Sequence, residues 1–243
     1  KMDVYVITGS SQGLGLALAE ALLALENTQV IGISRGASRL EHPAYCHVSF
    51  DLSHLHELGT LLADLEKHIT QPKSLALINN AASLGKVALL GQLELQVIEH
   101  VLHLNLGTPT ALMNWMIKTY DHLPIPKTII NISSGAAARV MDAWALYTSS
   151  KLALNRISET AQQEAIARGS QLRVFAVAPG VVDTDMQAQI RQTSSQEFGD
   201  VQYYIDLKEN GKLWTPQEAA AKLVPLVLHP KLYDGVVLDV RKL

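Results

Sequence analysis

The stretch "TGSSQGLG", residues 8–15, decides how this chain folds. It follows the β-branched run "VYVIT" at 4–8 and precedes a helix-patterned segment, "LALAEALLAL". Glycines in such a loop let the backbone turn tightly and approach a ligand, while the helix behind them offers unpaired N–H groups and a positive dipole end. A strand, a glycine loop and a helix in this order therefore predict an anion-binding site of the kind that holds a pyrophosphate.

Short β-branched runs alternate with longer helix-patterned segments along the rest of the chain. Such alternation is typical of βαβ units in a parallel sheet that helices cover on both faces. We therefore predict one α/β domain over residues 1–243, with a doubly wound sheet of seven mainly parallel strands. The predicted strands are 4–8, 29–34, 46–50, 75–79, 128–133, 173–178 and 236–240, and the predicted helices are about 14–25, 54–68, 92–118, 144–168 and 216–228.

The segment 186–213 is the least regular part of the chain, and it is long and polar for a connection within a compact domain. Long ordered loops are often lids or specificity segments, and a disordered loop is the alternative. We expect this segment to be a substrate loop.

The composition excludes several classes of partner. The net charge of −3 and the lack of a basic stripe argue against nucleic acid and anionic membranes. No apolar run is long enough to span a bilayer, so we expect a cytoplasmic protein. Cys46 is the single cysteine; it fits a reducing compartment and is interpreted as a small buried apolar residue. His54 and His56 have no convergent carboxylate or cysteine, so no metal site is predicted.

The stretch "YTSSK", residues 147–151, places a tyrosine and a lysine four residues apart in a helix-patterned segment. Residues at this spacing share a helix face, so the ammonium of Lys151 can lie near the phenol of Tyr147. A fixed cation lowers the pKa of a phenol by favouring the phenolate. Because this pair also arises by chance in many helices, its meaning depends on the motifs around it.

Seven motifs occur in order along the chain: "TGSSQGLG" at 8–15, "DL" at 51–52, "NNAA" at 79–82, Asn105, "ISS" at 132–134, "YTSSK" at 147–151 and "PGVVDTDM" at 179–186. Together they resemble the motifs of the short-chain dehydrogenase/reductases, a family of nicotinamide-dependent enzymes with a Rossmann-like fold.

A finer resemblance, carried by "WALYTSSK", "APGVVDTDMQ" and "LKENGKL", is to the branch that contains sepiapterin reductase and the bacterial benzil reductases. The sequence departs from the family pattern at Gln12, where NADP-preferring members often have arginine, and at Ala82, where glycine is usual.

The end of the second strand bears on which nicotinamide cofactor is used. An NAD enzyme typically places a carboxylate there for the ribose hydroxyls, but this chain has Ser34 followed by Arg35. A guanidinium can bind a 2′-phosphate through charge-assisted hydrogen bonds, so we expect NADP(H) as the cofactor, with Arg39 near enough to assist. A solvated loop cation is the alternative reading of Arg35.

The resemblance implies a set of cofactor-binding residues. Asp51 and Leu52 would contact the adenine, and Val182 and Thr184 would hold the carboxamide. The full set is Gly9, Ser11, Gln12, Gly13, Leu14, Gly15, Arg35, Asp51, Leu52, Asn80, Ala81, Ala82, Tyr147, Lys151, Pro179, Gly180, Val182, Thr184 and Met186.

The resemblance also implies four catalytic residues. Tyr147 would be the general acid, and Lys151 would bind the nicotinamide ribose and acidify the phenol. Ser134, thirteen residues before Tyr147, would hydrogen-bond the substrate oxygen; strand alternation allows only one of Ser133 and Ser134 to face the site. Asn105 would hold, through its backbone, a water that links Lys151 to solvent.

Two residues are candidates for substrate contact. Trp144 is either a wall of the pocket or a core or interface residue, and Tyr203, Tyr204 and Trp214 near the long segment could extend an aromatic wall. Asp239 resembles the aspartate that anchors the pterin in sepiapterin reductase, and a surface carboxylate is the competing reading.

These expectations combine into one function. The chain is expected to be an NADPH-dependent carbonyl reductase that acts on a small ketone, a 1,2-diketone or a pterin side-chain carbonyl. The alternatives are an NAD-dependent alcohol dehydrogenase and a nucleotide-binding regulator without catalysis. The family implies a homodimer or homotetramer.

Overall fold

The computed structural model describes all 243 residues and contains one sheet of seven strands. The strand order is β3-β2-β1-β4-β5-β6-β7, and every neighbouring pair is parallel. Both the α/β class and the seven predicted strands are confirmed, with bounds shifted by at most one residue. The strands are β1 (Asp3–Thr8), β2 (Thr28–Ser34), β3 (Tyr45–Ser49), β4 (Ser74–Asn79), β5 (Lys127–Ile132), β6 (Leu172–Ala178) and β7 (Val237–Asp239).

Helices cover both faces of this sheet. They are α1 (Gly13–Leu23), α2 (Leu58–His68), α3 (Leu95–Leu102), α4 (Thr108–Tyr120), α5 (Ala145–Ala167), α6 (Asp185–Arg191), α7 (Val201–Glu209) and α8 (Pro216–Leu228). The start of α8 is fixed by a capping box in which Thr215 and Glu218 satisfy each other's backbone N–H groups. No helix combines the length and the apolar character needed to cross a membrane.

The core consists of one apolar cluster on each face of the sheet. Along β1, Tyr5 and Ile7 pack towards α1 and α8, whereas Val4 and Val6 pack towards α2 and α4. Because both faces are covered, the central strands need apolar residues at successive positions, which explains their continuous β-branched runs. The parallel strands consequently all end at the same edge of the sheet, and the loops beyond that edge form the site.

The predicted helix 92–118 is interrupted in the structure. A π-type turn at His103–Gly107 separates α3 from α4. The physical reason is Pro109, which has no N–H to donate to the carbonyl of Asn105 four residues earlier. The interruption therefore falls at a predicted site residue.

The segment 186–213 is more regular than predicted, because α6 and α7 occupy much of it. The Gln187 side chain donates to the carbonyl of Tyr204 at 3.2 Å, and Phe198 between the two helices is 1% exposed. Lys208 of α7 and Arg191 of α6 both pair with Asp183 beside the sheet edge. The alternative of a disordered loop is therefore wrong.

Cys46 also differs from its interpretation as a buried residue. It lies on the edge strand β3 and is half-buried, with its sulfur 3.6 Å from Nδ1 of His68. Only one side of an edge strand is covered by a neighbouring strand, so the pattern of the sequence overstates burial there.

Candidate active site

A cleft of about 780 Å³ opens at the carboxyl edge of the sheet. It extends from the loop after β1 to the helices α6 and α7. Asn105, Gly15 and Asp239 are the predicted site residues that do not line it. The predicted residues that do line it are Gly9, Ser11, Gln12, Gly13, Leu14, Arg35, Asp51, Leu52, Asn80, Ala81, Ala82, Ser134, Trp144, Tyr147, Lys151, Pro179, Gly180, Val182, Thr184 and Met186.

The glycine loop has the backbone geometry that its sequence predicts. Gly9 and Gly13 have φ angles of +70° and +55°, in the left-handed region that favours glycine. A β-carbon on Gly15 would lie 2.1 Å from the carbonyl oxygen of Gly9, so this glycine allows α1 to approach the loop. The helix N-terminus carries neither an acidic residue nor a side-chain cap, so its N–H groups and dipole remain available to an anion.

Thr8 and Asn80 hold this loop, and the role of Thr8 was missed by the sequence analysis. The Thr8 hydroxyl accepts from the backbone N–H groups of Asn80 and Ala81 at 2.9 and 3.0 Å. The Asn80 amide donates in turn to the carbonyls of Thr8 and Gly9 at 3.0 and 3.3 Å. The end of β4 thereby fixes the loop after β1. A buried polar residue closing an apolar strand was the signal that could have identified Thr8.

Gln12 lines the cleft, and its side chain has a partner on the opposite wall. Its side-chain amide donates to the carboxylate of Asp185, at the start of α6, at 3.0 Å. Gln12 therefore connects the glycine loop to α6, and its expected contact with a cofactor stays a prediction.

At the outer end of the cleft, Arg35 lies beside Asp51. Their closest charged atoms are 3.9 Å apart, and the Arg35 side chain is 72% exposed. Burial raises the pKa of the Asp51 carboxyl, but hydrogen bonds from Ser53 and the charges of Arg35 and His54 outweigh it and leave the pKa lowered. Asp51 is thus an ionised acceptor, and Arg35 is a mobile cation within reach of it.

Trp214 fixes loop 179–184, which follows β6. The backbone N–H of Trp214 donates to Val181 at 3.0 Å, and its carbonyl accepts from Asp183 at 2.8 Å. The indole ring packs under Gly180, which has a φ of +80°. Trp214 therefore supports the loop and does not line the cleft, contrary to its suggested place in a substrate wall.

Tyr147 and Lys151 share one face of α5 at the inner end of the cleft. The Lys151 Nζ lies 5.8 Å from the centre of the Tyr147 ring and donates to the carbonyl of Ile132 at 2.8 Å. Ser134, just past β5, lies close enough to Tyr147 to lower the pKa of its phenol, whereas Ser133 donates to Asn155 at 2.5 Å. Both serines border the cleft, so the expectation that only one of them faces it is not met, but their side chains have different partners.

The electrostatics of this pair differ from the expectation. Burial raises the pKa of Tyr147, and the interaction with Ser134 offsets this only in part. Burial also lowers the pKa of Lys151 to about 8. The prediction that Lys151 lowers the pKa of the phenol is wrong for the protein alone, because both groups lose more solvation than they gain from each other.

Replacing Lys151 with methionine should stabilise the nucleotide-free protein at neutral pH. A folded pKa of about 8 lies below the ordinary value of 10.5, so the unfolded chain binds more protons between these pH values, and the wild-type free energy of unfolding rises with pH there. At pH 7, removing the buried charge should raise the free energy of unfolding of the variant above that of wild type by up to about 3 kcal/mol. Loss of the hydrogen bond to Ile132 should reduce this difference by about 1 kcal/mol. Urea denaturation of both proteins from pH 7 to 10 should show this advantage shrinking; a constant difference would contradict the buried charge.

Asn105 is fully buried within the π-type turn. Its side chain accepts from the N–H of Ser83 and donates to the carbonyl of Ser83, both at 2.8 Å, and also donates to the Ser150 hydroxyl at 3.2 Å. The side chain thus joins the loop after β4 to α5. Its proposed water relay depends on the backbone and stays a prediction.

Aromatic rings wall the end of the cleft beside Tyr147. Trp144 packs edge-on against Tyr147 at 5.7 Å and stacks on Phe198 at 5.0 Å. Tyr204 lies 5.6 Å from Trp144. Trp144 is therefore both a cleft residue and a core residue of the segment that holds α6 and α7. Phe198 was missed because nothing in its polar surroundings, "SSQEFGD", indicates burial.

Of the two readings of Asp239, substrate contact and surface carboxylate, the structure favours the second, because the carboxylate is paired outside the cleft. Its carboxylate accepts from the backbone N–H of Arg241 at 3.0 Å and from Nε at 2.9 Å, and it does not line the cleft. The pKa of Asp239 is lowered, mainly by the hydrogen bond from the Arg241 side chain. Arg241, which the sequence analysis did not identify, lines the cleft instead.

The two histidines before α2 lie away from the cleft. His54 and His56 lie 3.8 and 3.4 Å from the carboxylate of Glu57, and all three side chains are exposed. No group of three or more histidine, cysteine, aspartate and glutamate side chains converges on a point that could hold a metal ion.

Comparison with known proteins agrees with this site. Residues 3–195 match the sequence model of the family described as short chain dehydrogenase. A benzil reductase, (S)-benzoin forming, from Bacillus cereus is 33% identical over 98% of this chain and 99% of its own length. Sepiapterin reductase from Xenopus tropicalis is 29% identical over 91% and 90%. Among solved structures, the KRED1-Pglu enzyme superimposes with a TM-score of 0.84 at 26% identity, over 97% of this chain and all of its own.

Proposed function

Since this chain belongs to the short-chain dehydrogenase family, whose oxidoreductases act on small molecules with nicotinamide cofactors, we propose that it is an NADPH-dependent carbonyl reductase. Its substrate is a small ketone, a 1,2-diketone or the side-chain carbonyl of a pterin. The observation that carries the proposal is the convergence of Ser134, Tyr147 and Lys151 in one cleft with the glycine loop. The names of the relatives, benzil reductase and sepiapterin reductase, support these substrate classes.

The glycine loop fits a dinucleotide. The left-handed Gly9 and Gly13 and the uncapped start of α1 form a concave surface of N–H donors suited to a pyrophosphate. Asp51, which lines the same cleft and is ionised, would accept from the adenine amino group. A nicotinamide bound in this cleft would supply the hydride.

Tyr147 supplies the proton in this proposal. Its raised pKa keeps the phenol protonated at neutral pH, which is the form that an acid needs. As the hydride reaches the carbonyl carbon, negative charge develops on the oxygen, and the phenol O–H donates to it. The Ser134 hydroxyl lies close enough to Tyr147 to donate to the same oxygen.

Lys151, next to Tyr147, is proposed to bind and orient the ribose of the cofactor. An ammonium has three N–H donors, and the Ile132 carbonyl accepts from one of them. The remaining donors are available to ribose hydroxyls and to the water that the Asn105 backbone is proposed to hold. With a pKa near 8, Lys151 can also return a proton to Tyr147 after each turnover.

A spectrophotometric panel tests the proposed function. NADPH and NADH are each offered with diketones including benzil, quinones, aldehydes and sepiapterin, and oxidation of the nucleotide is followed. We expect benzil or a related 1,2-dicarbonyl to be reduced with NADPH. Preference for NADH would support the NAD-dependent alternative, and nucleotide binding without reduction of any carbonyl would support a regulator.

Replacing Arg35 with alanine should raise the KM for NADPH at least about tenfold while leaving that for NADH within about twofold. The reason is that Ser34 adds no negative charge at the end of β2, and the exposed guanidinium can leave Asp51 for a 2′-phosphate. Steady-state kinetics with both nucleotides measure the effect. Arg156→Ala removes an exposed guanidinium from the outer side of α5 and serves as the control; equal losses with both nucleotides would count against a phosphate contact.

The proposal also includes a cytoplasmic homodimer or homotetramer, as the family resemblance implies. Light scattering of the purified protein distinguishes these assemblies from a monomer.

A further inference from the structure

The cleft continues past Ser134 into a region edged by donor groups that the nucleotide does not need. Arg139, Arg241, Tyr203 and Tyr204 line it there. A β-carbon on Gly135 would lie 3.7 Å from a terminal nitrogen of Arg241. The guanidinium of Arg241 is therefore adjacent to the residue that follows the substrate-binding serine.

Arg241 is held in a fixed orientation. Asp239 accepts from its Nε, from a terminal nitrogen and from its backbone N–H, which closes a short turn after β7. A guanidinium has five N–H donors, and this pairing leaves the others available. The side chain is half exposed, so the open part of the group faces the cleft.

Each of the three acidic residues that line the cleft has a partner. Asp51 lies beside Arg35, Asp183 pairs with Lys208, and Asp185 accepts from Gln12.

Two guanidinium groups line the cleft beyond Ser134: Arg241 is paired with Asp239, whereas Arg139 forms no ion pair. The lining there therefore includes one cation without an ion-pair partner. A cleft with low-dielectric walls concentrates the field of such a cation on its contents.

We propose that this end of the cleft binds an anionic group, so that the preferred substrate is a 2-oxo acid whose carboxylate lies between Arg139 and Arg241. This inference rests on the proposed function, because it places the reacting carbonyl at Ser134 and Tyr147. A carboxylate one bond from that carbonyl then reaches the guanidinium beside Gly135. The remaining substituent faces Trp144 and Tyr204, which favours an aryl or other large apolar group.

The reaction balances as a two-electron reduction. The carbonyl π bond breaks, a C–H bond forms with the hydride of NADPH, and an O–H bond forms with the proton of Tyr147. The product is a 2-hydroxy acid, and solvent restores the proton of Tyr147.

Phenylglyoxylate and its methyl ester test this inference, since they share the aryl ketone and differ in charge. The wild-type kcat/KM with NADPH should be at least about tenfold higher for the acid. The double variant Asp239→Asn/Arg241→Gln removes the ion pair without leaving a buried charge, and Arg139→Gln removes the second cation. Each should lower the acid-to-ester ratio at least about tenfold. Arg156→Gln, on the far side of α5, should leave the ratio unchanged.

A binding measurement separates the inference from activity. Calorimetric titration of the NADP⁺ complex should show tighter binding of phenylacetate than of phenylacetamide, and the double variant should lose that difference. Reduction of the ester but not of the acid, or equal loss of both in the variants, would overturn the anionic subsite while leaving carbonyl reduction standing. Phenylacetate binding without reduction of any carbonyl would support the subsite and refute the proposed function.

Discussion

Replacing Tyr147 with phenylalanine is expected to lower kcat/KM for carbonyl reduction by at least about 1,000-fold, or about 4 kcal/mol of transition-state stabilisation. The substitution removes one hydroxyl, and that hydroxyl is the group proposed to give a proton to the substrate oxygen. The ring itself should stay in place, because Trp144 packs edge-on against it at 5.7 Å. NADPH affinity, measured by fluorescence titration, should therefore stay within about twofold of wild type.

The matched control is Tyr120→Phe. Tyr120 is also a buried tyrosine that packs edge-on against a tryptophan, Trp115 at 5.5 Å, but it lies on α4 outside the cleft. Burial raises its pKa to about 12, so it shares the suppressed ionisation of Tyr147 without its position. Full activity of Tyr147→Phe, or an equal loss in both variants, would rule out Tyr147 as the acid.

Replacing Gly15 with alanine should abolish nucleotide binding, with a loss of affinity of at least about 100-fold, and should destabilise the fold by about 1–3 kcal/mol. The added methyl group would meet the carbonyl oxygen of Gly9 at 2.1 Å and the amide nitrogen of Asn80 at 2.6 Å. The first of these is backbone and cannot rotate away, so α1 and the loop after β1 must separate. The N–H groups that form the anion cradle would then lose their common direction.

Gly59→Ala is the control for this substitution. Gly59 lies exposed in α2, and nothing lies within 4 Å of the position of its added β-carbon. Alanine is the better helix former there, so this variant should be as stable as wild type or more stable by up to about 1 kcal/mol. Thermal unfolding and NADPH titration of both variants measure the two effects. Normal NADPH affinity in Gly15→Ala would show that the loop tolerates the separation and that the cradle is not formed as described.

Lys151, next to Tyr147, shows how much stability a protein loses when it buries a charged group. Lys151 is 3% exposed, and burial lowers its pKa to about 8. A buried ammonium lowers the free energy of unfolding of the nucleotide-free protein, so the charge proposed to serve catalysis makes the fold less stable. The ribose hydroxyls and the relay water proposed for this site would offset that cost in the complex.

The sequence by itself determined the architecture and the motifs around the cleft. Runs such as "VYVIT" and the glycine spacing of "TGSSQGLG" act over a few residues, through strand propensity, periodicity and the left-handed backbone of Gly9 and Gly13. The four-residue spacing of Tyr147 and Lys151 likewise guarantees a common helix face. Such local rules do not depend on distant parts of the chain, which is why the seven strands could be predicted.

Only the tertiary structure decided which partner each polar group finds and how strongly it is desolvated. The sequence left open whether Asp239 contacts a substrate or is a surface carboxylate; in the structure its carboxylate pairs with Arg241, and Arg241 lines the cleft. The phenol of Tyr147 was expected to be acidic, but burial raises its pKa. Phe198 is buried against Trp144, 54 residues earlier in the chain. Burial and charge pairing depend on residues that are remote in sequence and adjacent in space, and no local pattern records them.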